Sequence, residues 1–170
     1  MIRRYAYDTA LGWLEILAEQ DAVIGLAFGR REEVVPVCQT DLIRETATQL
    51  FAYLAGARTA FTVPLRPAGT AFQQRVWGAL CEIPYGQTRS YAQIAQAVDS
   101  PNACRAVGMA NHRNPIPILI PCHRVIGANG DLVGYGGGLA IKERLLLLER
   151  QGIGAKTWDM PNGKRFDQRN

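Results

Sequence analysis

The stretch NPIPILIPCHRVI, residues 114–126, constrains this chain more than any other. Pro115, Pro117 and Pro121 each lack a backbone N–H and hold φ at about −65°, which forbids a regular helix and discourages a central strand. The residues between them are apolar, so the sequence predicts an extended, rigid segment that ends by delivering Cys122, His123 and Arg124. Adjacent side chains of an extended chain point opposite ways, so His123 needs a turn or a bridging water to reach Cys122.

Two potential cations beside a thiol favour the thiolate, and the expectation is a pKa lowered from its usual value of about 8.5. Cys122 is therefore a candidate nucleophile. The commonest fate of a free cysteine is a buried structural thiol, and Cys38, Cys81 and Cys104 are read that way. The four cysteines include no CxxC pair and there are only two histidines, His112 and His123, so a zinc site has few candidates. The N-terminus MIRRYAYDTALGW holds no apolar run of signal-peptide length, and no stretch approaches the roughly 20 apolar residues of a membrane span. The expected setting is a reducing cytoplasm with free thiols and no membrane partner.

The rest of the chain divides near residue 68, where Pro64, Pro67 and Gly69 cluster. Residues 1–68 read as an α/β domain. Trp13–Leu17 and Val23–Phe28, separated by Glu19-Gln20-Asp21, form a predicted hairpin; Asp41–Ala55 is a predicted helix ended by Gly56, and Phe61–Leu65 a further short strand. Residues 69–154 read as mainly helical. Thr70 caps a helix through about Ile83, Ser90 caps Tyr91–Val98, Ser100-Pro101 starts a helix to about Asn111, and Leu139–Arg150 is the last helix before Gly152. Asp99–Asn102 links two short helices tightly, as in a helix-turn-helix; an ordinary helical hairpin fits the same spacing. Six glycines fall within residues 127–138, with a turn at Asn129-Gly130. Residues 155–170 are a polar tail. Residues 1–68 hold seven Lys and Arg against eight Asp and Glu, while 69–170 hold twelve against seven, so the basic excess lies with the helices and suits a polyanionic partner.

Glu149 lies near the C-terminus of the last helix, where the helix dipole disfavours an acid, and it shares a stripe with Leu145 and Leu146. A carboxylate so placed needs a partner, and His123 is one of two histidines available. A Cys122–His123–Glu149 relay follows the logic of nucleophile, base and orienter; a solvated surface glutamate is the alternative.

PCHRVIG at 121–127 resembles the active-site signature of the O6-alkylguanine-DNA alkyltransferases, the methylated-DNA–protein-cysteine methyltransferase family. FQQRVW at 72–77, IPYGQTRSYAQIA at 83–95, RAVGMAN at 105–111 and GYGGGLAIKERLLLLE at 134–149 are similar in order and spacing, and TALGWL and FAYLAG more weakly. The resemblance implies a ribonuclease-H-like sheet in the N-terminal domain and a helical C-terminal domain with a DNA-binding helix-turn-helix. It implies direct, irreversible transfer of an alkyl group from O6-alkylguanine in double-stranded DNA to Cys122, one turnover per molecule, with the base flipped out of the duplex. Activity on O4-alkylthymine is left open, as is cooperative assembly of a protein expected to be a monomer.

The same resemblance implies the roles. Cys122 attacks the alkyl carbon; His123 takes its proton through a water; Glu149 holds the histidine; Asn114 braces the active-site segment. Tyr91 helps rotate the nucleotide and protonates N3 of the leaving guanine. Tyr135 walls the pocket, the Gly136 N–H approaches O6, and the carbonyls of Cys122 and Val125 receive the exocyclic amine. Arg105 enters the base stack from a helix whose Ala103, Ala106, Gly108 and Ala110 allow close approach to the minor groove, with Ala106 at the DNA. Some members bind zinc through N-terminal cysteines and histidines; this chain has only Cys38 there and no histidine before residue 112, so no metal and no cofactor are expected. The rival readings are a non-catalytic binder of alkylated DNA, which lacks such a cysteine, a cysteine hydrolase, and a transcription factor that reads the major groove.

Overall fold

The computed structural model describes residues 1–31 and 36–152; the expected tail at 155–170 lies outside them. The N-terminal part is a three-stranded antiparallel sheet in the order β1 (Ile2–Thr9), β2 (Gly12–Glu19), β3 (Ala22–Phe28), with helix α1 (Asp41–Leu54) packed on it. The predicted hairpin is β2–β3, with Leu14 opposite Phe28 and Ile16 opposite Leu26. Strand β1 was not expected. Its sequence IRRYAYDT is too polar to read as a strand alone, yet buried Arg4 pairs with buried Glu15 of β2 at 2.8 Å.

Helix α1 starts at Thr40, whose hydroxyl accepts the Ile43 N–H, and gives way to Gly56 in a left-handed conformation (φ 71°). It lays Ile43, Ala47, Leu50, Tyr53 and Leu54 against Leu14, Ile16, Val23 and Leu26 of the sheet. Each fully buried Leu or Ile of such a face contributes about 1.5–3 kcal/mol. The strand expected at Phe61–Leu65 is not formed. Leu65 makes one isolated bridge to Val23, through Val23 N–H to the Pro64 carbonyl and Arg66 N–H to the Val23 carbonyl; Pro64 has no N–H with which to extend the ladder.

The C-terminal part comprises α2 (Ala71–Cys81), β4 (Arg89–Ser90), α3 (Tyr91–Ala97), α4 (Cys104–His112), β5 (Val125–Ile126) and α5 (Leu139–Gln151). Helices α2 and α3 each open with a capping box, Thr70 with Gln73 and Ser90 with Gln93. Trp77 donates its indole N–H to the Ala110 carbonyl at 2.8 Å, tying α2 to α4. Helix α4 begins later than expected. Pro101 lies not in its first turn but in the link, where Asp99 takes φ 56° and residues 100–103 form turns. The pair α3–α4 keeps the arrangement of two short helices joined by a tight link. No helix of the described residues is long and apolar enough to cross a membrane.

The proline-rich segment is rigid but not extended. It folds into successive tight turns: the N–H groups of Leu119, Ile120 and Cys122 donate to the carbonyls of Pro117, Ile116 and Ile120. Ile118 adopts φ 72°, an uncommon conformation for a β-branched residue, held by burial of Ile116, Ile118 and Ile120. The prolines sit where no N–H is required, so local turn bonds compete successfully with the extended form that proline spacing suggested.

Candidate active site

Turn follows turn until residues Cys122–Arg124 close one turn of 3-10 helix, from which β5 leaves to pair in parallel with β4. This turn brings the Cys122, His123 and Arg124 side chains together into the interior, where all three are buried. An extended chain would have put His123 on the opposite face.

Glu149 is buried too, and gathers four donor groups. His123 Nε2 lies 2.8 Å from Oε1. Arg124 forks onto both oxygens, Nε to Oε2 at 2.9 Å and Nη2 to Oε1 at 2.8 Å, while its Nη1 donates to the Ile83 carbonyl. Tyr53 of α1 donates its hydroxyl to Oε1 at 2.6 Å, and the Gly86 N–H reaches Oε2 at 3.3 Å. Burial pushes the Glu149 carboxyl up, but the hydrogen bonds from His123 and Arg124 and the Arg124 charge outweigh it and bring it down from 4.5 to about 2. Burial lowers the pKa of His123, against the pull of Glu149, so the ring is neutral. A carboxylate only accepts, so its bond assigns the imidazole proton to Nε2 and leaves Nδ1 as an acceptor. That buried Nδ1 has no hydrogen-bond partner among the described residues.

The expectation of a resting thiolate is overturned. Burial pushes the Cys122 thiol up to about 11, against the opposing pull of Asn114 and the Lys142 charge. The cause is plain in the geometry: the Arg124 guanidinium is committed to Glu149 and His123 is neutral, so neither neighbour in sequence supplies a cation to the sulfur. Cys122 is the only buried cysteine of the four; Cys38, Cys81 and Cys104 are exposed, contrary to their reading as buried structural thiols.

Asn114 donates to the Ile120 carbonyl at 2.8 Å and accepts the Ile116 N–H, pinning both ends of the turn before Cys122. Tyr91 stands at the start of α3, and its hydroxyl donates to the Val133 carbonyl across a groove. That groove, about 590 Å³, is lined by Tyr91, Arg105, Gly108, Met109 and Val133 and is largely apolar. Arg105 and Ala106 are exposed on the first turn of α4. A cavity of about 410 Å³ adjoins the groove through Asn111, His112 and Gly134, and takes in Cys122, Asn114, Tyr135 and Gly136. The Cys122 carbonyl already accepts two donors, the Val125 N–H and Asn111 Nδ2 at 3.3 Å, and the Val125 carbonyl accepts Lys142 Nζ at 2.7 Å.

Three contributors were not singled out in the sequence. Tyr53 sits on the apolar face of α1, where a fully buried phenol requires a partner for its hydroxyl. Asn111 lies within RAVGMAN beside the Cys122 carbonyl. Lys142, fully buried on α5, donates to the carbonyls of Val125 at 2.7 Å and Val133 at 2.9 Å, joining β5 to the glycine-rich loop that carries Tyr135. Its signal is a lone lysine in a helix that otherwise packs Leu145 and Leu148 inward.

The arrangement can move a proton from a buried thiol to a neutral, carboxylate-held imidazole next to an apolar groove bordered by an exposed arginine. Comparison with known proteins bears on its use. Residues 71–151 match the model of the 6-O-methylguanine DNA methyltransferase DNA binding domain, and residues 2–67 match that of the ribonuclease-like domain of the same proteins. The chain is 48% identical over 148 residues to a methylated-DNA–protein-cysteine methyltransferase of Methanosarcina acetivorans, covering 84% of this chain and 95% of that one. It is 58% identical over 113 residues to the protein of that name from Methanosarcina mazei, covering 66% and 72%. Its fold is similar to that of Mycobacterium tuberculosis OGT, solved in complex with DNA, with a TM-score of 0.83 at 43% identity, over 91% of this chain and 96% of that one.

Proposed function

The chain belongs to the methylated-DNA–protein-cysteine methyltransferase family and repairs DNA by transferring an alkyl group from O6-alkylguanine to one of its own cysteines, and we propose that Cys122 is that cysteine. The observation that carries this assignment is burial: Cys122 alone among the four thiols is buried, at the wall of a cavity and next in sequence to the histidine that is bonded to Glu149.

The Cys122 proton passes through one water to His123 Nδ1, and Glu149 stabilises the imidazolium that results. The sulfur lone pair forms the S–C bond to the alkyl carbon while the C–O6 bond breaks and its electrons pass to the guanine. Tyr91, released from the Val133 carbonyl, donates its proton to N3 of that guanine, and the Gly136 N–H approaches O6. A thiol that rests protonated and is activated only within the relay is protected from stray electrophiles. Asn114 holds the turn in register, Tyr135 walls the pocket, and the exocyclic amine is received by the Val125 carbonyl and by the Cys122 carbonyl, where it replaces the long bond from Asn111. Arg105 fills the space left in the stack, and Ala106 lets α4 lie close to the minor groove. The product is a thioether, a poor leaving group, so each molecule acts once.

A division near residue 68 assigns the sheet with α1 to one domain and residues 69–154 to the one that carries the chemistry. A cytoplasmic setting suits four cysteines that form no disulfide. The experiment is intact-protein and peptide mass spectrometry after incubation with duplex DNA containing O6-methylguanine. One methyl mass on the Cys122 peptide is expected, with none in Cys122→Ser, which still binds the DNA. An adduct on another cysteine, or lesion binding with no adduct, would remove Cys122 from this role.

A further inference from the structure

The cavity that Cys122 lines extends from the end of α4 to the N-terminal sheet. The far wall of its cavity comes not from the helices but from β3, through Ile24, Gly25, Leu26, Ala27 and Phe28. In-line displacement places O6 and Sγ on opposite sides of the reacting carbon. The remaining substituents of that carbon radiate sideways, so any group longer than methyl needs room beside Sγ.

Phe28, the last residue of β3, is clamped at that wall. Its ring meets the Tyr135 ring edge-on, with centroids 5.7 Å apart and planes at 65°. It also lies on Gly137, where an added Cβ would stand 2.9 Å from Cε2 and Cζ of Phe28. Gly137 does not adopt a positive φ, so it is the aromatic ring, not the backbone, that demands glycine there. The strand cannot swing away, because the Leu26 N–H donates to the Pro115 carbonyl at 2.9 Å and ties β3 to the segment that carries Cys122.

We propose that Phe28 sets the size of alkyl group this site accepts: held between Tyr135 and Gly137, its ring bounds the space into which substituents on the reacting carbon extend. The sheet of the N-terminal part is then a specificity element for chemistry carried by the helical part. The proposal rests on the assignment of Cys122 above.

The test compares single-turnover transfer from duplexes containing O6-methylguanine or O6-benzylguanine, read as the benzyl-to-methyl ratio of rates. Phe28→Ala is expected to raise the ratio by about tenfold, the scale on which pocket size discriminates apolar groups. Phe28→Leu, a milder change that keeps the strand's apolar end, is expected to raise it less, and Phe28→Trp to lower it. A ratio within about twofold of wild type in both Phe28→Leu and Phe28→Trp overturns the proposal whether or not Phe28→Ala folds. Parallel loss of both rates would mean that Phe28 only supports the fold, and overturns it too. Wild-type protein that transfers neither group to Cys122 defeats the assignment of Cys122 itself, a different result from an unmoved ratio.

Discussion

The Tyr53 hydroxyl of α1 donates to the Glu149 carboxylate of α5 at 2.6 Å, across 96 positions of sequence. The carboxylate that orients His123 is thus held in part by the helix that covers the N-terminal sheet. Replacing Tyr53 by Phe deletes a charge-assisted hydrogen bond in the interior and should cost about 2 kcal/mol of stability. Urea denaturation of the variant checks it; an unchanged midpoint would mean that Arg124 and His123 alone satisfy Glu149.

Acid should unfold the protein in two overlapping stages. His123 is buried neutral, with its pKa below the ordinary 6.5, so the unfolded chain takes up that proton first and stability falls as pH drops below 6.5. Glu149 is held at about 2 against an ordinary 4.5, so its contribution is complete above 4.5 and is lost as pH falls toward 2. Denaturation midpoints measured from pH 7 to 3 should decline throughout, and Glu149→Gln should flatten the lower part. A profile level across this range would contradict both shifts.

Cys122, with its thiol at about 11, should be a poor target for simple electrophiles at neutral pH. Iodoacetamide adducts followed by peptide mass spectrometry should form first on exposed Cys38 and Cys104, with the Cys122 rate still climbing above pH 9. A Cys122 rate that levels off below pH 8 would show a resting thiolate.

Lys142 is a structural cation, and Lys142→Met keeps its length while deleting its donors to the Val125 and Val133 carbonyls. The loss should be about 3 kcal/mol, as for other broken buried charged networks. Methyl transfer should slow as well, because Tyr135 and Gly136 follow directly in the loop that Lys142 holds. Stability equal to wild type in a thermal or urea melt would refute this role.

Arg105→Ala should slow transfer from a duplex by about tenfold or more, since a few kcal/mol of unstacking must then be met without a side chain to fill the stack. Transfer from a single-stranded oligonucleotide, which has no stack to repair, should change far less. Equal slowing on both substrates would reduce Arg105 to a phosphate contact.

Much of this architecture could be read in advance because it is written in local chemistry. Thr70 with Gln73, and Ser90 with Gln93, mark helix starts through bonds made within four residues. The apolar spacing of α1 and α5 marks their buried faces. What could not be read depends on distant partners. Strand β1 is polar until Arg4 finds Glu15, and Leu65 looks like a strand until Pro64 breaks its ladder. The reactivity of Cys122 departs from what its local sequence suggests for the same reason. Its neighbours in sequence carry potential positive charge, but Glu149, 27 positions away, claims Arg124, and burial neutralises His123. The pairing of His123 with Glu149 was legible because so few partners exist in the chain; the contributions of Tyr53, Asn111 and Lys142 were not, since nothing local distinguishes them.

The turns that present Cys122 also determine how that stretch looks to hydrogen exchange. Pro115, Pro117 and Pro121 carry no exchangeable amide, and those of Ile116, Leu119, Ile120 and Cys122 are all engaged within the segment. With Ile116, Leu119 and Ile120 also buried, deuterium should enter at these four amides only when the whole protein opens. The nucleophile thus sits in a region that exchange would report as among the slowest of the molecule, and the motions that admit a base must be sought in the groove around it.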